Sequence, residues 1–109
     1  MRMWMIDPKL LCRKHLLGEH GEIHKHRHNF LKRHNMSGRV GQIFPARMKA
    51  RHEELVIEMK RRGYNHNSPY DQPDVSYLGD MLDIKPDIAY NLRDLASRCE
   101  ECRKNIIGE

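Results

Sequence analysis

Apolar residues recur along this chain at the spacing of helices. The clearest stripe is Ile88, Leu92, Leu95, Cys99, Cys102 and Ile106, separated by four, three, four, three and four residues. That alternation keeps one face of an α-helix apolar. Leu16, Ile23 and Phe30 repeat every seven residues, or two helical turns, with Cys12 close to the same line. Met48, Leu55 and Met59 form a third stripe, with His52 at its remaining position. Turn chemistry punctuates these stripes. Asp7-Pro8 predicts a helix start, with Asp as N-cap and Pro at the first helical position, running to about His34. Gly18 and Gly21 weaken that helix and could allow a bend. Pro45 opens a second helix that Gly63 ends after Arg61-Arg62, and Pro86 opens the third. Between them, Tyr64 to Asp80 reads as an ordered loop. No segment of similar length alternates with period two. The expectation is an all-α fold, residues 1–109 forming a single compact domain of three main helices joined by long loops.

Composition narrows the class of protein. A chain of 109 residues with 39% apolar and 6% aromatic residues builds one modest, aliphatic core. Lys and Arg outnumber Asp and Glu by 20 to 15, a formal net charge of +5, which suits a polyanionic partner without requiring one. No apolar run approaches the roughly 18 residues of a membrane span, and the apolar opening lacks the length and cleavage site of a signal peptide. A cytoplasmic, monomeric protein with reduced cysteines is expected; 3 cysteines are too few for a disulfide framework.

Candidate chemistry concentrates on the first helix. His15, Glu19 and Glu22 share a face roughly a quarter turn from the apolar stripe, at ~3.6 residues per turn. Gly18 lies near its edge and would let a backbone or a nucleic-acid strand come close. Such a face is either a catalytic floor or a solvated surface. His20, His24 and His28 recur every fourth residue on another face, where two could chelate a metal or all could face DNA. Cys99-x-x-Cys102 has zinc-like spacing, but it lies on the apolar stripe and lacks a paired second half, so the two cysteines also fit as small hydrophobes. Lys32, Arg33 and Arg39, and separately Arg61 and Arg62, are either phosphate contacts or solvated basic faces.

The segment from Arg2 through Ile23, with His15-Leu16-Leu17 followed by Glu19 and Glu22, resembles the opening of the phage endonuclease V family of pyrimidine-dimer DNA glycosylases. Two further stretches fall in order: Leu31-Lys32-Arg33-His34 with Ser37-Gly38-Arg39-Val40, and Met59 through Asn65. A looser match covers Ile88-Ala89 and the helix that follows. The resemblance implies a DNA-repair N-glycosylase with AP lyase activity, acting on double-stranded DNA with damaged pyrimidines or abasic sites, and needing neither cofactor nor metal. It implies that Glu22 is the catalytic glutamate, His15 an active-site histidine, and Arg2 a basic neighbour of the nucleophile. The nucleophile itself is the α-amine of the first residue. The ungapped match puts Met1 there, and the bulk of Arg2 should keep the initiator methionine in place. Arg2, Lys25, Arg33 and Arg39 become the candidate DNA contacts.

The chemistry is sound on general grounds. An α-amine has a reference pKa near ~7.7–8.0 against ~10.4 for lysine, so part of it is unprotonated at neutral pH. Such an amine can displace a base at C1′ and leave an imine. Three positions depart from the pattern: Gly21 and Lys25 replace arginines, and no aromatic tail follows Ile107. Lys25 keeps the charge but not the bidentate fork. Two other readings remain: a non-catalytic nucleic-acid-binding module, and a His/Cys metal-binding protein.

Overall fold

In the computed structural model, which describes residues 3–33, 43–64, 70–83 and 86–108, four α-helices carry the fold, and the described residues contain no strand. They are α1 (Arg13–Leu31), α2 (Met48–Arg61), α3 (Ile88–Arg98) and α4 (Glu100–Ile107). Short 3-10 turns precede α1 at Pro8–Leu10, lead into α2 at Pro45–Arg47, and occupy Ser76–Asp83 in the connection to α3. The expected all-α class holds. α1 packs on α2, α3 on α4, and the Pro8–Leu10 turn lies against both α2 and α4.

The core forms where the apolar stripes predict it. Leu16, Ile23 and Phe30 of α1 are fully buried, as are Met48 and Leu55 of α2 and Leu95 of α3. Met3, Leu11, Ile43 and Cys102 complete the centre. The opening segment is therefore interior rather than a frayed tail. The Asn91 side-chain amide on α3 donates to the carbonyls of Met3 and Trp4 at 3.4 and 3.1 Å.

Two expected helices are broken where cysteines occur. Asp7 does cap a turn, its carboxylate accepting from the Lys9 amide at 3.0 Å, but that turn stops at Leu10. Leu11 and Cys12 are extended, and α1 begins only at Arg13. The break lets both Leu11 and Cys12 turn inward, which a continuous helix would place 100° apart. The third stripe is likewise two helices. Cys99 is extended (φ −129, ψ 110) and closes α3 while capping α4, its sulfur accepting from the Cys102 amide. Ile88, first in that stripe, is exposed in the opening turn of α3. The expected loop from Tyr64 to Asp80 contains the start of the Ser76–Asp83 turn.

α1 runs unbroken through Gly18 and Gly21. α2 ends as expected at Gly63, whose φ of 84 closes a pair of bonds, Gly63 N–H to Lys60 and Tyr64 N–H to Met59. α1 ends with Arg33 in the left-handed position, at φ 55, its N–H donating to the Phe30 carbonyl. The expected end near His34 lies outside the described residues.

These backbones separate two kinds of glycine. A Cβ at Gly21 would meet no atom within 4 Å. Gly21→Ala should therefore raise unfolding free energy by roughly 0.5–1 kcal/mol, read as a higher urea midpoint at unchanged slope. The same change at Gly63 should lower it by about 1 kcal/mol, because alanine resists positive φ.

Candidate active site

α1 carries three longitudinal faces. The central one is buried and contains, beside Leu16, Ile23 and Phe30, the polar residues Glu19 and His26. One flank holds His15 and Glu22, with Gly18 and Lys25 further round, and the other holds His20 and His24.

Glu19 belongs to the core rather than to the open face on which sequence spacing grouped it with Glu22. Its carboxylate receives two bonds from the Arg51 guanidinium of α2, Nε at 2.6 Å and Nη2 at 2.9 Å. Nη1 of Arg51 donates to the Ile6 carbonyl at 2.7 Å and to Glu54 at 3.2 Å. Burial works against the Arg51 charge, but the Glu19 bonds and charge, aided by Glu54, outweigh it and hold the guanidinium above its ordinary range. A bidentate pair with its remaining donors satisfied is the geometry in which a buried ion pair is tolerated.

His15 is half-buried at the other edge of the stripe. Its Nδ1 lies 3.2 Å from Cys12 Sγ and 3.5 Å from Cys102 Sγ. Trp4 meets its ring edge-on, with centroids 5.9 Å apart, and Arg98 lies over the Trp4 ring at 5.8 Å. Burial, then the charges of Lys14 and Arg98, hold the imidazole below its ordinary 6.5, so it is neutral at pH 7. Trp4, Lys14, His15, Gly18, Glu19 and Arg98 line a cleft of about 430 Å³. Arg51 neutralises Glu19 and Asp94 pairs with Arg98 at 2.7 Å, so Lys14 is the lining cation with no counter-ion among the described residues. A Cβ at Gly18 would touch nothing within 4 Å, so that part of the helix wall is open.

Glu22 lies two turns beyond His15 on the same flank, roughly 10 Å along the axis at ~1.5 Å per residue. Its side chain is 15% exposed, and its nearest described ionisable partner is His26, with Nε2 at 3.9 Å. It is thus a half-sheltered carboxylate without a cationic clamp of the Arg51 kind. Lys25 is exposed one turn further on. Arg33 is exposed at the end of α1, its guanidinium 4.6 Å above the Tyr77 ring. Met1, Arg2 and Arg39 lie outside the described residues. The structure thus places His15, Glu22 and Lys25 along one side of α1 and puts Arg33 at its far end.

The remaining candidates divide. His20 and His24 pack against the buried His52 of α2, with His20 and His52 Nε2 atoms 3.1 Å apart and His24 and His52 rings 5.0 Å apart. Tyr70 stacks on His52. These histidines are an α1–α2 contact, and only His28 of the three expected on that face is exposed. Arg62 reaches the carbonyls of Pro8 and Leu11 and pairs with the buried Glu58 at 2.6 Å, while Arg61 grips the same carboxylate. Arg62 thereby joins α2 to the opening turn, while Arg61 stays on Glu58 of its own helix. Trp4, Lys14 and Arg98 were missed as cleft residues. A lone Trp in an apolar opening and two ordinary helical cations give no periodic signal.

With this geometry in view, comparison with known proteins decides the family. The sequence profile of the pyrimidine dimer DNA glycosylases matches residues 1–72. The chain belongs to that family. Glu22, His15, Lys25 and Arg33 all fall within the matched stretch, which stops before α3 and α4. No curated protein and no solved structure matches the chain. Family membership makes damaged DNA the partner, and no described helix is long and apolar enough to cross a membrane.

Two consequences of the buried charges can be measured. Arg51→Met strands the Glu19 carboxylate and should cost about 3–5 kcal/mol, whereas the double change Glu19→Leu with Arg51→Met should cost far less. Equal losses in urea unfolding would refute this account of the pair. The second concerns Glu58, whose carboxyl is drawn from an ordinary 4.5 to about 2 by Arg61, against burial and with help from Arg62. A depressed carboxyl contributes stability that is fully present above about 4.5 and lost as pH falls towards about 2. Wild-type protein should lose stability across that window, and Glu58→Gln should flatten the loss.

Proposed function

We propose that this protein excises pyrimidine dimers from duplex DNA and then cleaves the strand as an AP lyase, with the α-amine of Met1 as nucleophile and Glu22 as its partner carboxylate. The family match over residues 1–72 carries the reading. What supports the assignment of Glu22 is its setting: a half-sheltered carboxylate, on the same flank of α1 as a cation-lined cleft, with no described guanidinium holding it. Glu19, the alternative carboxylate of that helix, is fully committed to Arg51.

The amine attacks C1′ of the damaged nucleoside, the N-glycosidic bond breaks, and the base departs with the bonding pair. Loss of the proton from nitrogen and opening of the sugar leave an imine. Removal of a C2′ proton then expels the 3′ phosphate by β-elimination. Glu22 stabilises the positive charge that develops at the sugar and moves the protons of ring opening and elimination. The reaction so written uses no metal and no cofactor. A nucleophilic amine has to be held in place, and the segment next to it is anchored: Met3 and Trp4 are buried and tied to Asn91. Arg2, Lys25, Arg33 and Arg39 are the phosphate contacts of this reading, and His15 forms part of the cleft wall.

Glu22→Gln preserves shape and removes charge, so excision on dimer-containing duplex should fall roughly 10²–10³-fold with binding little changed. Acetylating the α-amine should abolish both excision and borohydride trapping on abasic DNA. Trapping that survives acetylation but disappears in Lys9→Ala or Lys14→Ala would transfer the nucleophile to lysine. Normal excision by Glu22→Gln would remove Glu22 from the chemistry. Binding should weaken steeply with salt, and single alanine changes at Lys25 and Arg33 should each lower the salt slope by about 1.

A further inference from the structure

We propose that Cys12, His15, Cys99 and Cys102 form a structural zinc site that fastens the C-terminal helix to the start of α1. The four residues come from opposite ends of the chain, and their ligand atoms all lie within 4.8 Å of one another. A tetrahedral zinc with Zn–S near ~2.3 Å and Zn–N near ~2.1 Å sets its ligands about 3.8 Å apart for two sulfurs and about 3.6 Å for sulfur and nitrogen. The Cys12 and Cys99 sulfurs are 3.9 Å apart, and His15 Nδ1 lies 3.2 and 3.5 Å from the sulfurs of Cys12 and Cys102. For these three pairs a zinc ion needs shifts of a few tenths of an ångström, and the other three pairs, all within 4.8 Å, would close by about 1 Å at most.

The backbone explains why the four atoms converge. Cys12 is the N-cap of α1 and His15 lies three residues on, in its first turn. Cys99 is the N-cap of α4 and Cys102 lies three residues on, in its first turn. An N-cap side chain bends back over the first turn and meets the side chain at the third position, as in a capping box. Each Cys-x-x-ligand unit is thus a preformed pincer, and the fold sets two of them face to face. Both helix breaks exist at the caps of these pincers. The sulfurs also accept backbone amides, Cys102 Sγ from Cys12 N–H at 3.2 Å and Cys99 Sγ from Cys102 N–H at 3.4 Å. Amide donors of this kind suit a metal-bound thiolate better than a buried apolar thiol.

The chemistry selects the metal. Three thiolates and one imidazole are the donor set of closed structural zinc sites, and four protein ligands leave no position for substrate or water. On binding, each ligating thiol releases its proton, and the complex carries one negative charge. Ligation through Nδ1 fixes His15 in one tautomer and leaves Nε2–H as the ring's donor. The second histidine cluster, His20, His24 and His52, offers nitrogen alone and supplies the control.

The full chain, expressed with zinc available and purified without chelator, should contain about one zinc per chain by mass spectrometry of the metals. Exchange with Co²⁺ should give the intense visible bands of tetrahedral cobalt and thiolate-to-cobalt charge transfer in the near ultraviolet. Cys99→Ser and Cys102→Ser should lose the metal, and His24→Ala should retain it. His15→Cys offers a fourth thiolate and should keep cobalt while strengthening the charge-transfer band. It keeps the test decisive if either serine variant fails to fold. In the wild-type chain the thiols should resist a thiol reagent until zinc is withdrawn. A reduced, folded chain that holds no zinc, gives the weak spectrum of octahedral cobalt, or loses its metal through His24→Ala would overturn the proposal. None of these readouts depends on glycosylase activity, so the site and the proposed function fail separately.

Discussion

The fold turns on a charge placed where charge is costly. Arg51 enters the core from α2 with hardly any exposure, and it is stable there because Glu19 of α1 takes two of its donors and the Ile6 carbonyl a third. Without Glu19 or Arg51, the other charge would be left unpaired in an apolar interior, a loss larger than most single contacts can offset. The triad therefore dictates more than stability. It fixes the axial register of α1 against α2 and sets the height at which the opening segment crosses them. Fork geometry permits little sliding, whereas apolar stripes alone tolerate it. Glu22, the proposed catalytic carboxylate, lies on a helix that this one interaction locates.

With its centre line spent on packing, α1 separates two environments. On one side His20 and His24 join His52 and Tyr70 in a contact that knits the helix pair together. On the other, Glu22 stands half-sheltered and the cleft beside His15 is bordered by cations. Two polar flanks of one helix thus have opposite fates, decided by which one looks at α2. A helix that buries its middle and opens one edge gives a reactive carboxylate a rigid base and still leaves an approach for a duplex.

Much of this was legible in the residues. The stripes through Leu16, Ile23 and Phe30, through Met48, Leu55 and Met59, and through Leu95 and Cys102 all reach the core, because period alone reports which face is buried. The family was legible from the run ending at Ile23. Partnership across the chain was not. On a helical wheel Glu19 lies about 40° from the apolar stripe and Glu22 about 100°, but the partner that commits Glu19 to the core, Arg51, lies 32 residues away. The same blindness hid Cys12-x-x-His15 as the counterpart of Cys99-x-x-Cys102, since the first is separated from the second by three helices. Periodicity also smoothed over the two helix breaks. Cys99 continues an apolar rhythm perfectly well while its backbone leaves the helix.

The pinning of Met3 by Asn91 and the meeting of Cys12 with Cys102 join positions 88 and 90 residues apart. In a chain of 109 residues these are nearly end-to-end closures. Helical proteins usually assemble from neighbouring pieces and do so fast, but contacts of such span raise the contact order and slow the search. The core cannot be finished during synthesis until α3 and α4 have left the ribosome. Up to that moment Met3, Leu11 and Cys12 have nothing to be buried against from the far end. The stretch that marks the family is accordingly a unit of descent without being a unit of folding: cut after residue 72, it would keep its signature and lose the elements that close its core.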